Sequence, residues 1–154
     1  ITGLQALGQA ITEVIAQSVR LSAQFESGTA AVSTLGADGD AVGQAMRQLS
    51  NDLGGAASAV ELNAAAYYVL SSKTNTLTQG ADDATVATQI LGTSTKLAAA
   101  GFTTSAVASD ALTSTLNAYK LSATDAASVA DKFMATQNAG KITIAEYASQ
   151  IGKL

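Results

Sequence analysis

Residues 4–25, LQALGQAITEVIAQSVRLSAQF, place Leu4, Leu7, Ile11, Val14, Ser18, Leu21 and Phe25 at alternating steps of three and four. That spacing returns a side chain to one face of a helix, and sustained over three heptads it forms the seam of a coiled coil. Only Ser18 interrupts it with a polar atom. The pattern predicts a leading helix over 1–26. Its stripe of Leu4, Leu7, Ile11, Val14, Leu21 and Phe25 serves one of two ends. It packs on the chain's own domain, or it faces copies of the same helix or the wall of a tube.

Composition narrows the rest. The chain has 154 residues, which is one domain or a helical piece of something larger. Ala, Ser and Thr number 33, 15 and 18, while Leu, Ile, Val and Phe together number 34. Net charge is only -4, so a folded chain is favoured over a disordered one. Cys and His are both zero, which removes disulfides, thiol nucleophiles, thiolate or imidazole metal sites and any triad built on His. Pro is zero, which permits long unbroken helices. The basic residues are scattered singly from Arg20 to Lys153, so no stripe for sequence-specific nucleic-acid binding forms. The longest apolar run, Ala64 to Leu70, is far short of the roughly 20 residues a spanning helix needs. Nothing at the start resembles a signal peptide.

The expected fold class is all-α: the long amphipathic, coiled-coil-like helix, then a compact bundle of five to six Ala-rich helices. Ser27-Gly28 and Leu35 to Asp40 read as loops, so 27–40 is expected to be a hinge, with 41–154 a helical core domain. A second helix is expected over Ala41–Leu53, capped by Asp38 or Asp40, with Val42, Met46, Leu49 and Leu53 on one face. Ser58-Ala59-Val60-Glu61 is a capping box that starts a third helix, apolar nearly all round and therefore central. Ser71 to Gly80 is polar and reads as an exposed loop. A fourth helix starts at Asp82 or Asp83 and ends at Gly101, and a fifth runs over Thr104–Tyr119 with Tyr119 inward. Ser122 to Asp125 and Thr143 to Glu146 are further capping boxes opening two last helices.

The polar groups offer little chemistry. Asp82-Asp83, an adjacent carboxylate pair, sits where a helix start favours negative charge. Asp38-Gly39-Asp40 lacks the closing glutamate of a calcium loop, since position twelve is Leu49. Tyr67, Tyr68, Tyr119 and Tyr147 fall at apolar helix positions and read as core with the hydroxyl at its edge. No catalytic residue, cofactor site or metal site is expected, and the chain does not read as an enzyme.

A longer pattern adds to this. Leu97-Ala-Ala-Ala-Gly101-Phe-Thr-Thr-Ser105 is followed by Ala111-Leu-Thr-Ser-Thr-Leu-Asn117-Ala-Tyr-Lys-Leu-Ser122-Ala-Thr-Asp125, then Val129-Ala-Asp131 and Ile142-Thr-Ile-Ala-Glu146. This resembles the core region of phage tail tape measure proteins of the TP901 type. The likeness runs from about Phe25 to Leu154 and is densest after Leu91. Two positions depart from the pattern: Lys120 stands where the family usually has glycine, and Ser71 to Thr76 where it usually has Ala-Gly. The resemblance implies a fragment of a long helical chain that sets tail length and scaffolds the tail tube. Its partners would be tail tube proteins, the baseplate hub or tail tip, tail assembly chaperones and further copies of itself. It would be assembled in the host cytoplasm, reside in the virion tail and leave with the DNA. Membrane contact would fall to other parts of the parent chain. The alternative is a filament subunit of flagellin or hook type, which shares the Ala, Ser and Thr richness and the lack of Cys and Trp.

Overall fold

A computed structural model describes residues 2–101, 103–140, 142–151 and 153. Among them the chain is all-helical, with eight α-helices and no strand. The helices are α1 (Thr2–Ser33), α2 (Gly39–Asp52), α3 (Ala59–Ser71), α4 (Asn75–Thr78), α5 (Asp83–Ala100), α6 (Ser105–Ala118), α7 (Ala126–Asn138) and α8 (Ile144–Ile151). A single 3-10 turn, Ala123–Asp125, leads into α7.

The helix starts are set locally. Asp38, Ser58, Thr74, Asp82 and Thr104 each accept a hydrogen bond from a backbone N–H three residues on, which satisfies a donor the helix itself cannot reach. The boxes at Ser58–Glu61 and Thr143–Glu146 are closed in both directions, while at Ser122–Asp125 the Asp125 carboxylate accepts from the Ser122 N–H and hydroxyl and the Asp125 N–H bonds the Ser122 carbonyl. Of the two cap candidates for α2, Asp38 fills the role.

Two sequence expectations are corrected. The hinge expected over 27–40 is shorter, because α1 continues through Ser27 and Gly28 to Ser33 and the connection is Thr34–Asp38. The Ser27, Thr29 and Ser33 hydroxyls donate back to the carbonyls of Ala23, Phe25 and Thr29, so they do not compete with the helix. Val32 is fully buried beneath this turn, and that burial outweighs the modest propensity cost of Gly28. The loop expected over Ser71–Gly80 contains α4, whose Leu77 is fully buried. A single apolar side chain pins this one-turn helix to the core between α5 and α6.

α5 is the most enclosed helix and touches α2, α3, α6 and α7. Val86, Ala87, Ile90, Leu91, Leu97 and Ala98 form its buried face. α3 packs on α1, α2 and α5, yet it turns Ala64 and Tyr68 to solvent, so the apolar circumference read from sequence is only partly enclosed. At the far end α8 rests on α6 and buries Ile144. The Gln137 side chain ties three ends together there. It accepts from the Ile144 N–H at 3.0 Å and donates to the Gly101 carbonyl at 3.3 Å.

The end of α6 carries an unusual backbone state. The Leu121 N–H reaches the Leu116 carbonyl at 2.8 Å and the Lys120 N–H reaches Asn117 at 3.2 Å, the paired bonds of a Schellman motif. This geometry requires a left-handed residue at position 120, and Lys120 adopts φ of 55°. A side chain in that region costs roughly 1–2 kcal/mol that glycine does not incur. Lys120→Gly is therefore expected to stabilise the fold by about 1 kcal/mol, raising the thermal midpoint by about 3 °C. Circular dichroism melts measure this, and an unchanged or lower midpoint would count against the strain.

Candidate functional site

The first two-thirds of α1 leaves the body altogether. Every residue from Thr2 to Gln24 is exposed, and burial starts at Phe25. At 1.5 Å per residue this arm projects about 34 Å. Its large apolar side chains are in the open: Leu4 is 75% exposed, Val14 61% and Leu21 45%. Leu7 and Ile11 are exposed as well, and so are Ile15 on the flank of the seam and Val19 farther round the helix, which sequence reading left out. The opposite face carries Gln5, Gln9, Thr12, Glu13 and Arg20. Thus five of the six predicted seam residues lie together on one uncovered stripe. The sixth, Phe25, is on the same stripe but packed inside its own body.

Phe25 belongs to the joint that holds the arm. The Arg47 guanidinium of α2 stacks over its ring at 4.1 Å from the centroid. Its carbonyl accepts from Asn63 Nδ2 of α3 at 2.9 Å, and the same amide donates to Thr29 Oγ1 at 3.0 Å. Asn63 is fully buried, so these bonds lie out of water. Two glycines permit the close approach. A Cβ on Gly28 would stand 2.9 Å from Asn63 Nδ2, and one on Gly43 would stand 3.2 Å from the Phe25 ring. Sequence reading missed Asn63, hidden in an apolar run, although a lone amide amid alanines was a usable signal.

The remaining polar groups are structural in placement. Asp82 caps α5, and its neighbour Asp83 pairs with Lys73 at 2.8 Å, so the adjacent carboxylates serve different contacts. Asp38 caps α2, in keeping with a plain turn at Asp38-Gly39-Asp40. Among the described residues no group of three or more Asp or Glu is arranged to hold a metal ion, and no helix is long and apolar enough to cross a membrane. The tyrosines divide. Tyr147 is half-buried against Phe133 with its hydroxyl 3.1 Å from Thr115 Oγ1, as a core-edge residue should be. Tyr67 is half-buried too. Tyr68 and Tyr119, expected inward, are instead 72% and 69% exposed. Tyr119 is the helix-ending residue of α6, where the backbone turns away from the core. It stands at the rim of an apolar cleft of about 450 Å³ walled by Leu121, Phe133, Ile144 and Tyr147.

Compared with family models, curated proteins and solved structures, the chain finds no match.

Three carboxylates titrate below their ordinary range, each because it closes a helix start. Glu61 accepts from the Ser58 backbone N–H and then its hydroxyl, Asp82 from the Thr85 backbone N–H and hydroxyl, and Glu146 from the Thr143 backbone N–H and hydroxyl. A carboxylate with a depressed folded pKa adds stability that is present above its unfolded pKa and lost as pH falls through the folded one. The thermal midpoint should therefore drop progressively below about pH 4.5. Melts across pH for the parent and for Glu61→Gln/Glu146→Gln measure it. The double variant should be less stable at neutral pH and lose less on acidification. An equal loss in both proteins would remove the caps as the cause.

Proposed function

We propose that this chain is a structural assembly element, a segment of a tail tape measure protein, and that the arm of α1 is its self-association surface. The observation that carries the reading is the uncovered stripe of Leu4, Leu7, Ile11, Val14 and Leu21 on a helix whose other end is packed in a folded body. A patch of exposed apolar side chains this large costs solubility unless something covers it. Its heptad spacing is that of a helix that pairs with helices as a coiled coil. The body, with its alanine-lined helix contacts, is then the Ala-rich bundle of the tape measure core.

Several further features support the tape measure reading. The resemblance consists of helix ends, and its segments fall on structural ends: Gly101 closes α5, Ser122 opens the turn into α7 and Thr143 opens α8. Position 120, where the family usually has glycine, is left-handed in this chain. A ruler within a tail tube needs length, straight helices and copies in register rather than a reactive centre, and no catalytic role is proposed. Its partners would be the tail tube, the baseplate hub or tail tip, the tail assembly chaperones and copies of itself, within a virion tail assembled in the host cytoplasm.

Quantitative mass spectrometry of purified particles tests the reading. A few copies per tail are expected, set against many tube subunits. Copies equal to the tube subunit would favour a filament component of flagellin or hook type, and absence from particles would overturn both. For the arm, Leu7→Asp/Val14→Asp should abolish self-association and leave a folded monomer whose thermal midpoint no longer depends on concentration, since neither side chain is buried in the body. An oligomer mass unchanged by light scattering would remove the stripe as the interface.

A further inference from the structure

We propose that the cleft between α6, α7 and α8 binds a single-chain amphiphile with an anionic head group, the tail lying along the apolar walls and the head held at the mouth by Lys132. The site is on the body and is independent of the arm. The cleft has a volume of about 450 Å³, within the range of about 300–1,000 Å³ usual for small-ligand sites. Leu121, Val129, Phe133, Ile142, Ile144 and Tyr147 form its walls. Val129 and Ile144 are buried and so lie at its floor, whereas Tyr119, Lys132 and Thr136 are exposed and so lie at its rim.

The inner part of the cleft suits a tail and not a head. Thr115, on the α6 side, donates its hydroxyl proton to the Ala111 carbonyl at 2.7 Å. In the 3.1 Å contact between Thr115 Oγ1 and the Tyr147 hydroxyl, Tyr147 must therefore be the donor. Both hydroxyl protons are engaged, so neither can donate to a ligand. A charged head at that depth would stay unpaired, which is costly, while a hydrocarbon tail gives up no hydrogen bond there.

The mouth has the opposite character. Among the described residues the one ion pair is Lys73 with Asp83, so the Lys132 ammonium on the cleft wall is open to an anion. The carboxylates nearby are occupied or turned elsewhere. Glu146 accepts from the Thr143 N–H and hydroxyl, Asp125 accepts from those of Ser122, and Asp131 does not line the cleft. Charge along the chain is uneven in the same sense. Residues 119–154 hold four of the eight basic residues, Lys120, Lys132, Lys141 and Lys153, and three of the twelve acidic ones. This end is net positive in a chain whose net charge is -4, so it attracts an anion in preference to a cation. An uncharged hydrocarbon would leave the lysine unmatched, and a wholly polar anion would leave the apolar walls in water. An amphiphile meets both.

The full chain would be titrated with octanoate, decanoate, decanol and decyltrimethylammonium, each below its aggregation concentration, and followed by backbone amide NMR. Decanoate is expected to shift resonances around Leu121, Val129, Phe133 and Tyr147. It should bind roughly tenfold tighter than octanoate, since two more methylenes leave water, and tighter than decanol or the ammonium. Thr136→Trp sets an indole at the rim and should weaken decanoate at least tenfold. Lys132→Glu should weaken decanoate about fivefold, leave decanol unchanged and favour the ammonium. Neither side chain is buried, so both variants should keep the fold. Equal binding of the three ten-carbon probes, or indifference to Lys132→Glu, would overturn the anionic head group. Shifts confined to the arm, or no binding of decanoate, would overturn the site. A helical peptide of leucine and glutamate that shifts the cleft resonances where decanoate does not would assign the cleft to a protein partner instead.

Discussion

The seating of α1 on α2 and α3 is the constraint on which the architecture turns. One buried amide, Asn63, bonds to the Phe25 carbonyl and the Thr29 hydroxyl, and the Arg47 guanidinium closes over the Phe25 ring. Hydrogen bonds removed from water are directional and costly to lose, so they fix the rotation of α1 as well as its position. Rotation is what matters. Turned by half a circle, the same helix would point its polar face along the line where the body packs. As seated, the covered and uncovered parts of the stripe are collinear.

The body beyond that joint buries Leu, Ile, Val and Met side chains with alanines between them, and its helix ends are well closed. Glycines at 28 and 43 let neighbouring helices approach where bulk would hold them apart. Asp38, Ser58, Asp82, Thr104 and Thr143 all satisfy backbone donors at helix starts. The dependence of stability on pH follows from the same helix ends.

Much of this was legible in the chain itself. Capping boxes are read within four residues, and the ends of α2, α3, α5 and α6 fall close to where local chemistry puts them. The misreadings share a cause. Ser27-Gly28 has the composition of a turn, but Val32 just beyond it is buried against another part of the chain. Leu77 sits in a polar stretch, yet it is held by α5 and α6. Tyr119 has the right period for the core, but it falls where α6 stops. In each case a partner distant in sequence decided the outcome, or an element's end did. That Leu4, Leu7, Ile11, Val14, Leu21 and Phe25 share one face of α1 was legible, because heptad spacing is a property of one helix alone. Asn63 was missed because its partners, Phe25 and Thr29, are more than thirty residues away.

The sequence by itself determined that the chain is helical, where most helices begin, that it lacks thiols and imidazoles, and that one helix carries an apolar stripe. These follow from residue type and from spacings of three and four, which act over a single turn. Only the tertiary structure decided how much of that stripe is covered and how much is left in solvent. A periodic pattern reports which residues share a face. Whether that face meets the chain's own body depends on contacts such as Asn63 with Phe25, which no local pattern encodes.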